Sequence, residues 1–142
     1  MGKRSYGRYT FMKKLKPYSF QVSDPVFKTA LYVIVNLSYE KMIIKLKKRF
    51  PDFCLKTNED ALGLSFEHYD EKSNLNYPFL WVKNFNWDIR SQETFTHELN
   101  HSIFAALIYK NMAHSENNEA HCYLFGYYFT ECWRKLNKRY NN

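Results

Sequence analysis

The segment His97-Glu98-Leu99-Asn100-His101 sets two imidazoles four residues apart, with a carboxylate next to the first. On a helix, residues at that spacing stand one above the other, about 5–6 Å apart at Cβ, so both rings can reach a single metal ion. Zinc fits this donor set, with Zn–N bonds of about 2.0–2.1 Å. Glu98 is then placed to accept a proton from a water that the metal has made more acidic and to pass it to a leaving amine. The chemistry expected is zinc-dependent hydrolysis of a peptide bond. With 5 His and 9 Glu among 142 residues, chance alone yields this pattern in about one such sequence per hundred. The motif therefore weighs more than an accident of composition, provided that a helix carries it.

A catalytic zinc ordinarily takes a third protein donor, which the chain beyond His101 must supply. Phe104 and Leu107 stand where the metzincin spacing requires Gly and His, which excludes that arrangement. Four residues remain as donors: His114, Glu116, Glu119 and His121. Glu119 is preferred, because it opens the final helix, which a helix hairpin would return to the metal. Tyr123, Tyr127, Tyr128 and His121 are candidates to stabilise an oxyanion, but among twelve tyrosines none stands out.

The elements that must hold these residues follow from periodicity. ALYVIVN, from Ala30 to Asn36, is short, β-branched and aromatic, and predicts a buried strand. Tyr39, Met42, Ile43, Leu46 and Phe50 then fall at helical spacing, with Ser38 as N-cap and Pro51 as stop. Leu62, Leu64 and Phe66 alternate with smaller or polar residues, predicting a half-exposed strand that turns through YDEKSNLN into a second one, PFLWVKNF. Pro78 at its start suits the first residue of a strand or an edge strand, and by analogy with zincins Phe79, Leu80, Trp81, Val82 and Lys83 are the expected docking edge for an extended substrate. Helical patterns return from about Ser91 to Asn111, which includes the motif, and from about Asn118 to Arg139. The predicted fold is α+β, in the order β-α-β-β-α-α, with a small sheet packed on a helix hairpin.

A chain of 142 residues accommodates one core. Residues 25–142 are expected to form that single domain, and residues 1–24 a basic arm or an edge extension. The net charge of +7 is concentrated at this end, where Lys3, Arg4, Arg8, Lys13, Lys14 and Lys16 precede the first acidic residue, Asp24. Such an arm suits nucleic acid or an acidic protein surface, and equally serves as a solvated tail. Cys54, Cys122 and Cys132 show no C-x-x-C spacing and read as reduced, buried thiols. No signal peptide or membrane span is read from the sequence, so a cytoplasmic location is expected, with no membrane partner.

HELNH followed by Asn118-Glu119-Ala120 resembles the gluzincin arrangement of thermolysin-like peptidases. More broadly, YPFLWVKNFNWDIRSQETFTHELNHSIF and SENNEAHCYLFGYYF are similar to short gluzincin-type peptidases encoded in bacteriophage genomes, a likeness covering about residues 30–135. The resemblance implies a minimal zincin-like fold and a Zn²⁺ held by His97, His101 and Glu119. It also implies a peptide or protein substrate, and a location in host cytoplasm or virion. Tyr123 departs from the family, which places there an aspartate that orients the first histidine. The alternative function is a catalytically silent zincin-like structural or virion-associated protein, docking through its basic arm on nucleic acid or a protein partner.

Overall fold

A computed structural model describes residues 14–55, 60–112 and 118–141. His114, Glu116 and the basic residues up to Lys13 lie outside the described residues. The described chain is α+β: strands β1 (Tyr18–Ser23) and β2 (Ala30–Val35), helix α1 (Tyr39–Arg49), strands β3 (Gly63–Asp70) and β4 (Leu75–Val82), then helices α2 (Ile89–Tyr109) and α3 (Asn118–Tyr140). The predicted order is present, preceded by one further strand. Residues 18–23 of the region read as an arm or edge extension pair with β2, because Phe20 and Val22 alternate inward and are buried.

The four strands form one mixed sheet in the order β1-β2-β4-β3. The pairs β1/β2 and β3/β4 are antiparallel, and β2/β4 is parallel. Helix α1 packs through Met42 and Leu46 on the face presented by Ile34, Phe79 and Trp81. On the opposite face Leu31, Val33, Val35, Leu80 and Val82 meet Phe95, Leu99 and Ile103 of α2 and Leu124, Tyr128 and Cys132 of α3. Residues of both parities in β2 and β4 are thus apolar, since each of these strands is covered on both faces.

This double burial corrects the expectation for Phe79, Leu80, Trp81, Val82 and Lys83. Strand β4 is interior, flanked by β2 and β3, and Phe79, Leu80 and Trp81 are 0% exposed. No peptide can pair along Phe79–Val82, which are flanked on both sides. Pro78 is tolerated because β4 bonds β3 through alternate residues: Lys83 N–H donates to Leu62 C=O at 2.9 Å, which sets the parity. Position 78 faces the β2 side instead, one residue before the parallel pairing begins at Tyr32 and Phe79. There the missing N–H costs nothing.

Helix α1 starts where predicted, with the Ser38 hydroxyl accepting Lys41 N–H at 3.3 Å. The N-cap of α2 is Asp88, whose carboxylate accepts Ser91 N–H at 2.7 Å. Cys132 is buried, as expected, whereas Cys54 and Cys122 are exposed. Their positions on a loop and on the outer side of α3 leave them outside both apolar clusters. None of the described helices is long and apolar enough to cross a membrane.

Asn36 joins three parts of this framework. Its φ is 65°, it is 6% exposed, its carbonyl oxygen accepts Phe85 N–H at 2.6 Å, and its amide donates to the Tyr140 hydroxyl at 3.0 Å. It thereby ties the end of β2 to the loop that launches α2 and to the last turn of α3. Asn36→Ala leaves a buried N–H unpaired, about 1–3 kcal/mol, and puts an unfavourable residue in the left-handed region, about 1–2 kcal/mol. A loss of about 2–4 kcal/mol in urea denaturation is expected, of which Asn36→Gly recovers only the backbone part. A loss below about 0.5 kcal/mol contradicts the clamp.

Candidate metal centre

The roll of α2 about its axis is set by Phe95, Leu99, Ser102, Ile103 and Ala106, which are buried against the sheet. With those positions fixed, the 100° step per residue turns His97 and His101 outward and leaves Glu98 on the flank towards β3. The structure places them accordingly: both histidines are exposed and Glu98 is half-buried. The Nε2 atoms of His97 and His101 lie 3.1 Å apart, and the rings stand at 77° to one another with centroids 4.7 Å apart. Two nitrogens bound to one tetrahedral zinc at about 2.0–2.1 Å lie about 3.3–3.4 Å apart. The pair is therefore within a few tenths of an ångström of a chelating separation.

Glu98 lies against the free edge of the sheet. Gly63, Ser65, Glu67 and Tyr69 alternate with the β4-bonded residues, so their backbone groups turn away from β4. Burial raises the Glu98 pKa above the usual carboxylate range, opposed by the adjacent His97 and His101 and by a backbone hydrogen bond from Ser65. Ser65 and Ser102 exchange a hydroxyl hydrogen bond at 2.9 Å, fastening β3 to α2 one turn further on. Leu62, Gly63, Thr94, His97 and Glu98 line an open concavity at this place. The edge strand that sequence reasoning assigned to β4 is thus β3, and the signal was available: FLWV is apolar at both parities, whereas GLSFE alternates.

The downstream residues are not gathered at the pair. On α3, Tyr123 lies beside Phe27 with ring centroids 5.7 Å apart, and the Tyr127 hydroxyl donates to Ser23 C=O at 3.1 Å. Glu119, one turn before Tyr123, shares that row towards the β1–β2 turn and is exposed. The row facing α2 is instead His121, Phe125, Phe129 and Trp133. His121 Nε2 is 3.2 Å from Asn100 Oδ1 and its ring is 4.7 Å from Phe104, while Trp133 packs on Phe95 at 5.0 Å. Among the described residues no group of three or more His, Cys, Asp and Glu side chains is close enough together to hold a metal ion. The structure thus brings together His97, Glu98 and His101, and leaves Glu119 apart from them.

The tyrosine candidates for an oxyanion are engaged elsewhere. Tyr128 is buried against Thr29 with their hydroxyls 2.5 Å apart, and burial raises its pKa. Tyr123 and Tyr127 face the β1–β2 turn, as described. No family model matches the chain, and neither a curated protein nor a solved structure matches it.

The close approach of β3 to Glu98 depends on Gly63. A Cβ added there would lie 2.6 Å from Thr94 Cγ2, 3.2 Å from Trp81 C=O and 3.3 Å from Glu98 Cγ. Gly63→Ala is therefore expected to cost about 1–3 kcal/mol by overpacking. Thr94→Ser removes the nearest atom and keeps the hydroxyl that donates to Arg90 C=O, so the double variant should recover more than half of the loss. Additive effects in a double-mutant cycle would show that the two positions do not meet.

Proposed function

We propose that the chain is a zinc-dependent peptidase of minimal zincin-like fold, with His97, His101 and Glu119 as metal donors and Glu98 as general base. The observation that carries the reading is the 3.1 Å separation of the two Nε2 atoms on one helix face, with Glu98 beside them. When bound, zinc supplies Lewis acidity to the attacking water and the scissile carbonyl. Glu98, on the flank between the pair and the sheet edge, takes the proton from that water and delivers it to the leaving amine. The Ser65 backbone faces the carboxylate from the β3 edge and favours its charged form. The free edge of β3 beside Glu98 replaces β4 as the strand along which an extended substrate pairs.

Glu119 is the third donor in this reading because His121 is already packed in the α2–α3 seam on Asn100 and Phe104. Glu119 is an exposed carboxylate, and with two histidines it completes a set that leaves the fourth zinc position for water. Bringing it round requires the first turn of α3 to rotate. Releasing a helix end costs about 1 kcal/mol per hydrogen bond, against about 10–16 kcal/mol for zinc held by a complete peptide site.

Two measurements test the assignment. Glu98→Gln should retain one zinc per chain and an unchanged melting temperature while losing peptide hydrolysis by about 10²-fold or more; full activity in this variant would refute the general-base role. In zinc titrations, His97→Ala and His101→Ala should abolish binding, and Glu119→Ala should weaken it by more than His121→Ala does. The reverse order would transfer the third position to His121 and leave α3 as it is packed here.

A further inference from the structure

A second concave site lies at the C-terminal end of α2, where β2 and β4 part. Their parallel pairing begins only at Tyr32 and Phe79; before it, Ala30 pairs with Ser23 of β1, and Leu75 to Pro78 pair with β3 alone. Pro78 has no N–H with which to close the gap. The result is a cleft of about 320 Å³, bounded by the last turn of α2 and by Arg49, the final residue of α1. That volume is at the lower end of the range for small-molecule sites, about 300–1,000 Å³.

Three cations from three different elements line the cleft, Lys28, Arg49 and Lys110, and no carboxylate does. Among the described residues none of the three takes part in a salt bridge. The Arg49 guanidinium is ordered in advance: its Cζ lies 5.4, 5.2 and 5.3 Å from the ring centroids of Tyr32, Phe50 and Tyr77. Lys28 is held by the preceding turn, in which Asp24 accepts Val26 and Phe27 N–H at 3.2 and 2.7 Å; its φ of 57° is one that a lysine rarely adopts. Asn76 alternates with the β3-bonded residues of β4, so its N–H turns into the cleft as a further donor. Tyr77, Tyr109 and exposed Leu75 add apolar wall.

We propose that this cleft binds a small organic phosphate, with the phosphate on Lys28, Arg49 and Lys110 and the body against Tyr77 and Tyr109. A phosphomonoester carries about −1.5 to −2 charges and three acceptor oxygens, which match three cations lining one cleft better than a single carboxylate does. Arg49 contributes the planar fork suited to two of those oxygens. A nucleic-acid strand needs a continuous basic groove, whereas this cleft encloses about 320 Å³. The inference involves no metal and is independent of the reading of His97, Glu98 and His101.

Calorimetric titrations of the full chain in a chelating buffer test it, so that metal-bound phosphate contributes nothing. Phenyl phosphate and AMP are the probes, with inorganic phosphate and adenosine as the separated halves. Saturable binding of one probe molecule per chain is expected, about tenfold or more tighter than either half, and weakened about tenfold or more by Lys110→Gln and by Arg49→Gln. Lys135→Gln, on α3, should leave it unchanged. Should Arg49→Gln unfold because its ring contacts are lost, Lys110→Glu and Lys28→Glu at exposed positions carry the test alone. The proposal is overturned if neither probe saturates by about 10 mM, if inorganic phosphate binds as tightly as the esters, or if the lysine variants bind unchanged. It is equally overturned if a single-stranded oligonucleotide outcompetes both esters at the same residues.

Discussion

The parallel pairing of β2 with β4 is the constraint from which the rest of this structure follows. Val33 meets Leu80 and Ile34 meets Trp81 across it, all four fully buried. Because both strands are apolar at both parities, neither face of the sheet centre can be left to water, and an element must cover each. Helix α1 covers one face and the α2–α3 hairpin the other. The two antiparallel strands, β1 and β3, are left as edges. The same pairing ends short of the N-terminal ends of its strands, and the basic cleft opens where it stops.

The geometry of the candidate metal centre is a consequence of that packing rather than a separate design. Once Phe95, Leu99 and Ile103 are seated on the sheet, the roll of α2 admits one orientation for His97 and His101, outward, and one for Glu98, towards β3. The absence of a side chain at Gly63 lets the edge approach, and the Ser65–Ser102 hydrogen bond fixes its distance. Glu98 accordingly sits where burial and two imidazoles pull its proton affinity in opposite directions. A carboxylate placed in this way keeps its position only if the helix cannot rotate. Aromatic stacking from Phe125 through Phe129 to Trp133, with centroid separations of 5.7 and 4.4 Å, and on to Phe95, braces α2 along its α3 side.

The two concave sites differ in character because one is built on the middle of α2 and the other at its C-terminal end. At the motif, exposed imidazoles and a carboxylate meet a free strand edge. Beyond the C-terminal turn, cations from the end of α1, the β1–β2 turn and the α2 C-cap line one cleft with no acid among them. Lys110, the α2 C-cap, stands nine residues beyond His101, at about 1.5 Å of rise per residue. Neither site depends on the chemistry of the other.

Local signals determined the elements of this protein and the core of its candidate site. The N-cap at Ser38, the alternation of Leu62, Leu64 and Phe66, and the helical period around His97 and His101 act within one or two turns of chain. They are therefore legible without knowledge of partners. What needed the tertiary structure was everything set by contacts distant in sequence. Pro78 marked β4 as an edge when read alone, yet its neighbours are buried between two strands; the register with β2, not the proline, decides which N–H groups are needed. Tyr18–Ser23 became a strand because β2 offered it an edge. The spacing of Glu119 from His101 counts residues but not helix roll, and Ala120, Leu124, Tyr128 and Cys132 settle that roll by burying themselves on the sheet. Lys28, Arg49 and Lys110 are 21 and 61 residues apart in sequence, so no local pattern joins them, and only the parting of two strands brings them to one cleft.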